Sequence, residues 1–343
     1  MAVSKEPFGS TRDGLPVDKI TLRRGAVEAE VITYGASLRA LRVPGRKGMP
    51  VDVVLGYDSV SAYEENGGYV GAVVGRYANR IAGASCLIDG QRVSLVPNED
   101  GKQLHGGPHG FSVQVFRVED QGADWVALTS TAPDGLDGWP GELALKVTYY
   151  LGENALGIRY EAVSNKATYC NMTNHSYFNL NGGGSVMDHT LWVDADWFTP
   201  VGPDSIPVDM RRSALDTPLD FTHEKPLAQD AQADWEQLRH VGGYDHSLLL
   251  NPAQGLRLAA RLASQASGIS MEVWTEKPAV QLYAANFLNA GGGKGGVTYG
   301  PHMGVCLETQ FIPDSPNHPE WGDIVLRPGR RYDYTTEFRF GTV

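Results

Sequence analysis

Two residues stand out for the chemistry they can do. Glu308 lies inside the apolar, strand-like run Gly304-Val305-Cys306-Leu307-Glu308-Thr309-Gln310-Phe311. An unpaired charge is costly to bury there, so this carboxylate has either partners or a task. His175 sits in Thr173-Asn174-His175-Ser176-Tyr177-Phe178-Asn179-Leu180, framed by polar and aromatic neighbours and followed by a Gly turn at 182 to 184. An imidazole titrating near 6.5 suits proton transfer at neutral pH. The same ring in the same frame more often belongs to a structural core histidine.

Three further segments carry hydrogen-bonding groups. In Val74-Gly75-Arg76-Tyr77-Ala78-Asn79-Arg80-Ile81 the amide of Asn79 and the guanidinium groups offer directed donors suited to sugar hydroxyls. An ordinary surface strand has this composition too. In Leu104-His105-Gly106-Gly107-Pro108-His109 two histidines stand four apart. That spacing aligns metal ligands only on a helix, which a Gly/Pro-rich stretch does not form, so His105 reads as a hydrogen-bonding loop residue and no metal is expected. Asp245, in Gly243-Tyr244-Asp245-His246, can accept from hydroxyls or cap a turn.

The elements that must position these groups are strands. Leu143, Leu145, Val147, Tyr149 and Leu151 alternate with polar residues, and Leu156, Ile158, Tyr160 and Ala162 do so after a Gly152–Ala155 turn. This is an antiparallel hairpin. Asp89-Gly90 between Leu87-Ile88 and Arg92-Val93 is a two-residue turn signal, and Tyr332 to Phe340 alternate again. Helical periodicity is confined to one candidate, Ala231 to Leu238. With 41 Gly and 20 Pro in 343 residues, the fold class is all-β, a sandwich or barrel. No linker or repeat divides the chain, so a single domain over 1–343 is expected.

A net charge of −11 disfavours a nucleic-acid partner. No stretch reaches the roughly 18 apolar residues of a membrane span, and the first residues lack the apolar core of a secretory signal. Cys86, Cys170 and Cys306 form no CxxC pair, so neither a disulfide framework nor a zinc site is implied. A cytoplasmic location is the expectation. Gly291 to Gly296 contains the GxGxxG spacing without a strand-to-helix context, so it reads as a flexible loop and no nucleotide cofactor is expected.

Taken in order, these segments resemble the aldose 1-epimerase (galactose mutarotase) family. The likeness runs from Gly35-Ala36-Ser37 and Val53-Val54-Leu55-Gly56-Tyr57 through the Arg76–Arg80, His105–Gly107 and His175 segments. It continues in Thr217-Pro218-Leu219-Asp220-Phe221, Gly243–His246, Val280-Gln281-Leu282-Tyr283 and Leu307-Glu308-Thr309-Gln310, spanning about residues 30 to 340. The resemblance implies a large antiparallel β-sandwich of the galactose mutarotase-like supersandwich type with an open sugar cleft and no cofactor. By position it makes His175 the general acid and Glu308 the general base. It makes Asn79, Arg80, His105, Asp245 and Gln281 residues that hold the sugar or orient the pair. Phe116 and Ser247 depart from the family pattern, where a Trp and a bulkier polar residue are common.

Interconversion of the anomers of a free aldose is the implied reaction. Which aldose and which oligomeric state stay open. The competing readings are a glycoside hydrolase, which needs a second carboxylate such as Asp245, a non-catalytic carbohydrate-binding protein, and a hexose-phosphate epimerase using Arg76 and Arg80.

Overall fold

A computed structural model describes residues 2–343. Every sheet pairing in it is antiparallel. A nine-stranded sheet runs in the order Arg117–Gln121, Trp125–Ala132, Leu143–Gly152, Ala155–Ser164, Tyr332–Thr342, Ile269–Thr275, Arg257–Ser264, Thr190–Val193, Lys225–Pro226. The chain's first five strands form a separate meander over Ala2–Asp52. A third, five-stranded sheet has the order Arg212–Ser213, Trp197–Thr199, Asp245–Leu249, Ala279–Tyr283, Cys306–Gln310. One apolar cluster draws on all three sheets, from Ile20 and Leu41 through Tyr149 and Phe338 to Val280 and Leu307. The all-β class expected from period two, and the antiparallel β-sandwich that the resemblance implies, are therefore the observed architecture.

The local readings translate directly. Leu143–Gly152 alternates buried and exposed along its length and pairs with Ala155–Ser164, Gly152 opposite Ala155. Asp89 and Gly90 both take positive φ, 50° and 79°, which matches the right-handed twist of the two strands they join.

Two expectations fail, each for a physical reason. The helix placed at Ala231 to Leu238 begins only at Glu236 and runs to Val241. Ala231, Ala233 and Trp235 turn inward onto the core while Gln232 and Asp234 face out, so this stretch follows period two and has no helical face. A second short helix, Val60–Glu65, is capped by the Ser59 side chain. Gly291–Gly296 is not a free loop. The Lys294 ammonium in its middle is bonded to Asp52 (2.7 Å) and to the carbonyls of Val54 (2.7 Å) and Arg39 (3.1 Å). A carboxylate brought from some 240 residues away pins the glycine run. Among the described residues no helix is long and apolar enough to cross a membrane.

The connection from the nine-stranded sheet to the Ala279–Tyr283 strand of the five-stranded sheet passes through Lys277. Its ammonium is buried against the rings of Phe311, Tyr332 and Tyr334 at 4.1, 4.3 and 4.1 Å and donates to the Tyr332 hydroxyl. Burial pulls the amine down to about 7. The unfolded chain keeps that proton to about 10.4, so between those values the unfolded state binds more protons and stability rises with pH. Lys277→Met should therefore raise Tm at pH 7 by about 2 °C, and the advantage should shrink as pH rises to 9.5. A constant difference across that range in paired thermal melts would show that the amine is not the source.

Candidate active site

Period two decides what the five-stranded sheet presents. Asp245 pairs with Tyr283 and Tyr283 with Cys306, while Ser247 pairs with Gln281 and Gln281 with Glu308. These six side chains share one face, and Leu248, Val280, Leu282 and Leu307 on the other enter the core. A run that reads as apolar around Glu308 is thus a core strand with a polar face.

His175 reaches that face from a neighbouring segment. The short strand Thr173–Asn174 pairs with Val73–Val74, and the His175 amide donates to the Ala72 carbonyl (2.8 Å). Asn174 is tied by its amide to the Gly71 carbonyl (2.7 Å) and the Tyr149 hydroxyl (3.2 Å). Through these bonds the imidazole Nε2 lies 3.7 Å from Glu308 Oε1. His175 and Glu308 are 5% and 2% exposed, so the acid and base candidates form one buried pair.

His105 and Asn79 complete the opposite wall by an exchange of bonds. The His105 amide donates to the Asn79 carbonyl (3.0 Å), and the Asn79 amide donates to His105 Nδ1 (3.1 Å). Both residues hold positive φ, 53° and 66°, a costly conformation for residues with a Cβ. Next to them Gly106 crosses Gly75 so closely that a Cβ would lie 2.1 Å from backbone. Only glycine permits that approach.

Arg80 is held bidentate by Glu99 (2.6 and 2.9 Å) and stands 3.9 Å from Asp245. Asp245 in turn accepts from Gln281 Nε2 (2.6 Å). A cleft of about 460 Å³ gathers Asn79, Arg80, His105, His175, Asp245 and Glu308. That lies within the roughly 300–1,000 Å³ of small-molecule sites. Gln281 is the exception: it lines a small adjoining cavity with Ser247 behind Asp245, so it orients that carboxylate.

Other sequence candidates lie elsewhere. Arg76 is buried and donates to the carbonyls of Pro140 and Gly141, away from the cleft. His109 is an exposed ring paired with Asp137, and Phe116 is a core residue against Phe111. Among the aromatic side chains lining the cleft, Tyr177 is 1% exposed and donates to the Gly68 carbonyl, whereas Phe287 is 70% exposed at the mouth.

Sequence reasoning missed Glu99, which neutralises Arg80, and Tyr69, whose ring centre stands 4.6 Å from that of His105 and 5.9 Å from that of His175. Both sit in polar or Gly-rich turns, and nothing in their local strings sets them apart.

Burial dominates the electrostatics. It pulls His175 down to about 4 and pushes Glu308 well above the usual carboxylate range. The charge of Asp245 lifts Glu308 further and Arg80 opposes this. Asp245 is itself raised by burial against the pull of Arg80 and Gln281. His105 is held well below 6.5 by burial, then by His175 and Arg80, and is neutral.

The ligand atoms of His105, His175 and Glu308 lie within 4.8 Å of one another, a donor set that invites comparison with a metal site. The Asn79 amide decides against it. With Nδ1 accepting that bond, the neutral His105 ring carries its hydrogen on Nε2 and offers a donor to oxygen, not a lone pair to a cation.

The chain matches the family model described as aldose 1-epimerase over residues 18–339. It is similar to the aldose 1-epimerase of Escherichia coli (strain K12), 39% identical over 96% of both chains. It is also similar to the galactose mutarotase of Homo sapiens, 38% identical over 99% of this chain and 98% of that one. A crystal structure of an aldose epimerase homologue from C. elegans superposes with a TM-score of 0.89 at 31% identity, covering 95% of this chain and 99% of that one. With full-length similarity of this kind, and a buried imidazole and carboxylate facing one cleft, the chain belongs to the aldose 1-epimerase family.

Proposed function

We propose that the cleft interconverts the α and β anomers of a free aldose, with Glu308 as base and His175 as acid. Membership of the family makes the chain a sugar isomerase. The observation that carries the residue roles is the buried pair itself, imidazole and carboxylate 3.7 Å apart on the floor of a cleft of sugar-binding chemistry. Glu308 takes the proton of the anomeric hydroxyl while His175 gives one to the ring oxygen. The C1–O5 bond opens to the aldehyde, rotation about C1–C2 presents the other face, and closure returns both protons. Arg80 and the Nε2 donor of His105 stabilise charge developing on oxygen, Asn79 and Asp245 hold hydroxyls, and Gln281 fixes Asp245. Phe287 offers its ring to the apolar face of the sugar.

The competing reactions fit less well. A phosphate would need free cations, but Arg76 points away and Arg80 is matched by Glu99. A hydrolase would need Asp245 as its second carboxylate, and that group is engaged by Gln281 and Arg80. The shared apolar cluster supports one domain over 1–343. Three unpaired buried cysteines suit a reducing compartment, and we place the protein in the cytoplasm.

Glu308→Gln and His175→Asn should each leave the fold intact and slow anomer exchange by about 10²–10⁴-fold. Polarimetry on freshly dissolved aldoses reads this directly, and a near-native rate in either variant removes that residue from its role. Release of reducing sugar from an aryl glycoside would favour the hydrolase, and tight sugar binding without faster exchange would favour a binding protein.

The working pair carries one proton in total, so it titrates as a unit. A free imidazole would set the alkaline limb near 6.5. Burial instead opposes both a second proton, which would make a buried cation, and loss of the last one, which would make a buried anion. The profile of kcat/KM should therefore be flat through neutrality, with its acid limb below pH 6. Asp245→Asn removes a charge that raises Glu308, so it should move the alkaline limb to lower pH and raise KM about tenfold. An acid limb at or above 6.5 in the wild type would contradict the buried pair as the titrating unit.

A further inference from the structure

We propose that Cys306 is a positioning residue of the acid–base pair, its thiol holding His175 Nδ1 so that Nε2 is the nitrogen turned to Glu308 and the sugar. The proposal rests on His175 being the acid. The Cys306 sulfur lies 3.5 Å from Nδ1, within hydrogen-bonding distance for sulfur, and Glu308 Oε1 lies 3.7 Å from Nε2. Cys306 and Glu308 are two apart on one strand, so the pleat sends both side chains to the same face. A single strand thus addresses both nitrogens of one ring.

Apart from a backbone contact within His175 itself, which favours the protonated ring, the remaining surroundings do not fix which nitrogen faces which way. The His175 amide donates to the Ala72 carbonyl and its carbonyl accepts from the Gly71 amide (2.9 Å), which anchors main chain only. Tyr177, His105, Tyr69 and Tyr283 wall the ring at centroid distances of 5.0, 5.3, 5.9 and 6.3 Å. Flat walls tolerate a half-turn of an imidazole, whose second side-chain torsion is broad and roughly two-fold. The thiol breaks that symmetry.

Its chemistry also suits a ring that gains and loses a proton. The sulfur accepts, weakly, from the Nδ1 hydrogen, which the ring keeps whether or not Nε2 is protonated. A carboxylate at this position would orient the ring equally well but would make it more basic, and so a weaker acid. Cys306 is fully buried, and burial keeps the thiol protonated.

The test combines polarimetric kinetics with ¹⁵N NMR of the His175 ring in wild type, Cys306→Ala and Cys306→Ser. The wild-type ring should hold its hydrogen on Nδ1 at neutral pH, leaving Nε2 to exchange the working proton with Glu308 and the sugar. Cys306→Ala should mix the tautomers and lower kcat about five- to tenfold, the scale of one neutral hydrogen bond, with KM within about twofold. Cys306→Ser, which restores a donor and acceptor, should recover the tautomer and kcat to within about twofold of wild type.

An Nε2-protonated neutral wild-type ring overturns the proposal whether or not the alanine variant folds. So does an alanine variant with unchanged kcat and tautomer, and so does a serine variant as slow as alanine, which would mean that the sulfur only fills space. An inactive His175→Asn beside a fully active Cys306→Ala would remove the positioning role alone. An active His175→Asn would remove the reading on which it rests.

Discussion

The structure depends on keeping an imidazole and a carboxylate together out of water. Burying either group alone as a charge is expensive, and burying both is tolerable only if they share a proton in fixed geometry. His175 and Glu308 are 5% and 2% exposed and stand 3.7 Å apart, beyond a direct hydrogen bond but close enough for the pair to stay electrically neutral as a unit. Displacement of either group would leave an unmatched buried ionisable group, so the surrounding elements must not slide. The five-stranded sheet provides this by register: a slip of one residue would turn Glu308 and Gln281 into the apolar core and Leu307 and Leu282 into the cleft.

Charge around the pair is arranged as a relay of partners. Glu99 holds Arg80, Arg80 faces Asp245, and Gln281 holds Asp245 from behind. Each member is matched before a sugar arrives, so the donors and acceptors facing the cleft are preorganised and need little rearrangement on binding. The cost appears in the backbone, where Asn79 and His105 both take positive φ to exchange hydrogen bonds. Backbone strain of this kind persists only where surrounding structure over-determines it, and here the pairing of Leu104 with Arg80 supplies that support.

Rigidity also reaches the cleft from its far side. Lys294 ties a glycine-rich run to Asp52 and to the carbonyls of Val54 and Arg39, beside the strands of the N-terminal meander. Lys277 ties the approach to the Ala279–Tyr283 strand into a cage of three aromatic rings. Lys277 does this where the chain passes between sheets, and Lys294 within the connection from Ala279–Tyr283 to Cys306–Gln310.

The sequence by itself determined the period-two architecture, because alternation is a local property of each strand and Asp89-Gly90 is a local property of a turn. It also marked His175 and Glu308 as chemically unusual, but residue types and spacing favoured a structural role for the first and a functional one only narrowly for the second. Ordered resemblance along the chain, not any single string, gave them roles. It misread Ala231 to Trp235 as helical because alanine favours helix while its neighbours alternate.

Only the tertiary structure decided which polar residues share the cleft. Gln281 lies behind Asp245, Arg76 turns inward, and Glu99 and Cys306 become partners of residues far along the chain. The reason is physical: hydrogen bonds and ion pairs across 19 to 131 residues are set by sheet register, which no local window contains. The proton affinities of the pair follow from burial, and burial is a property of the assembled sandwich.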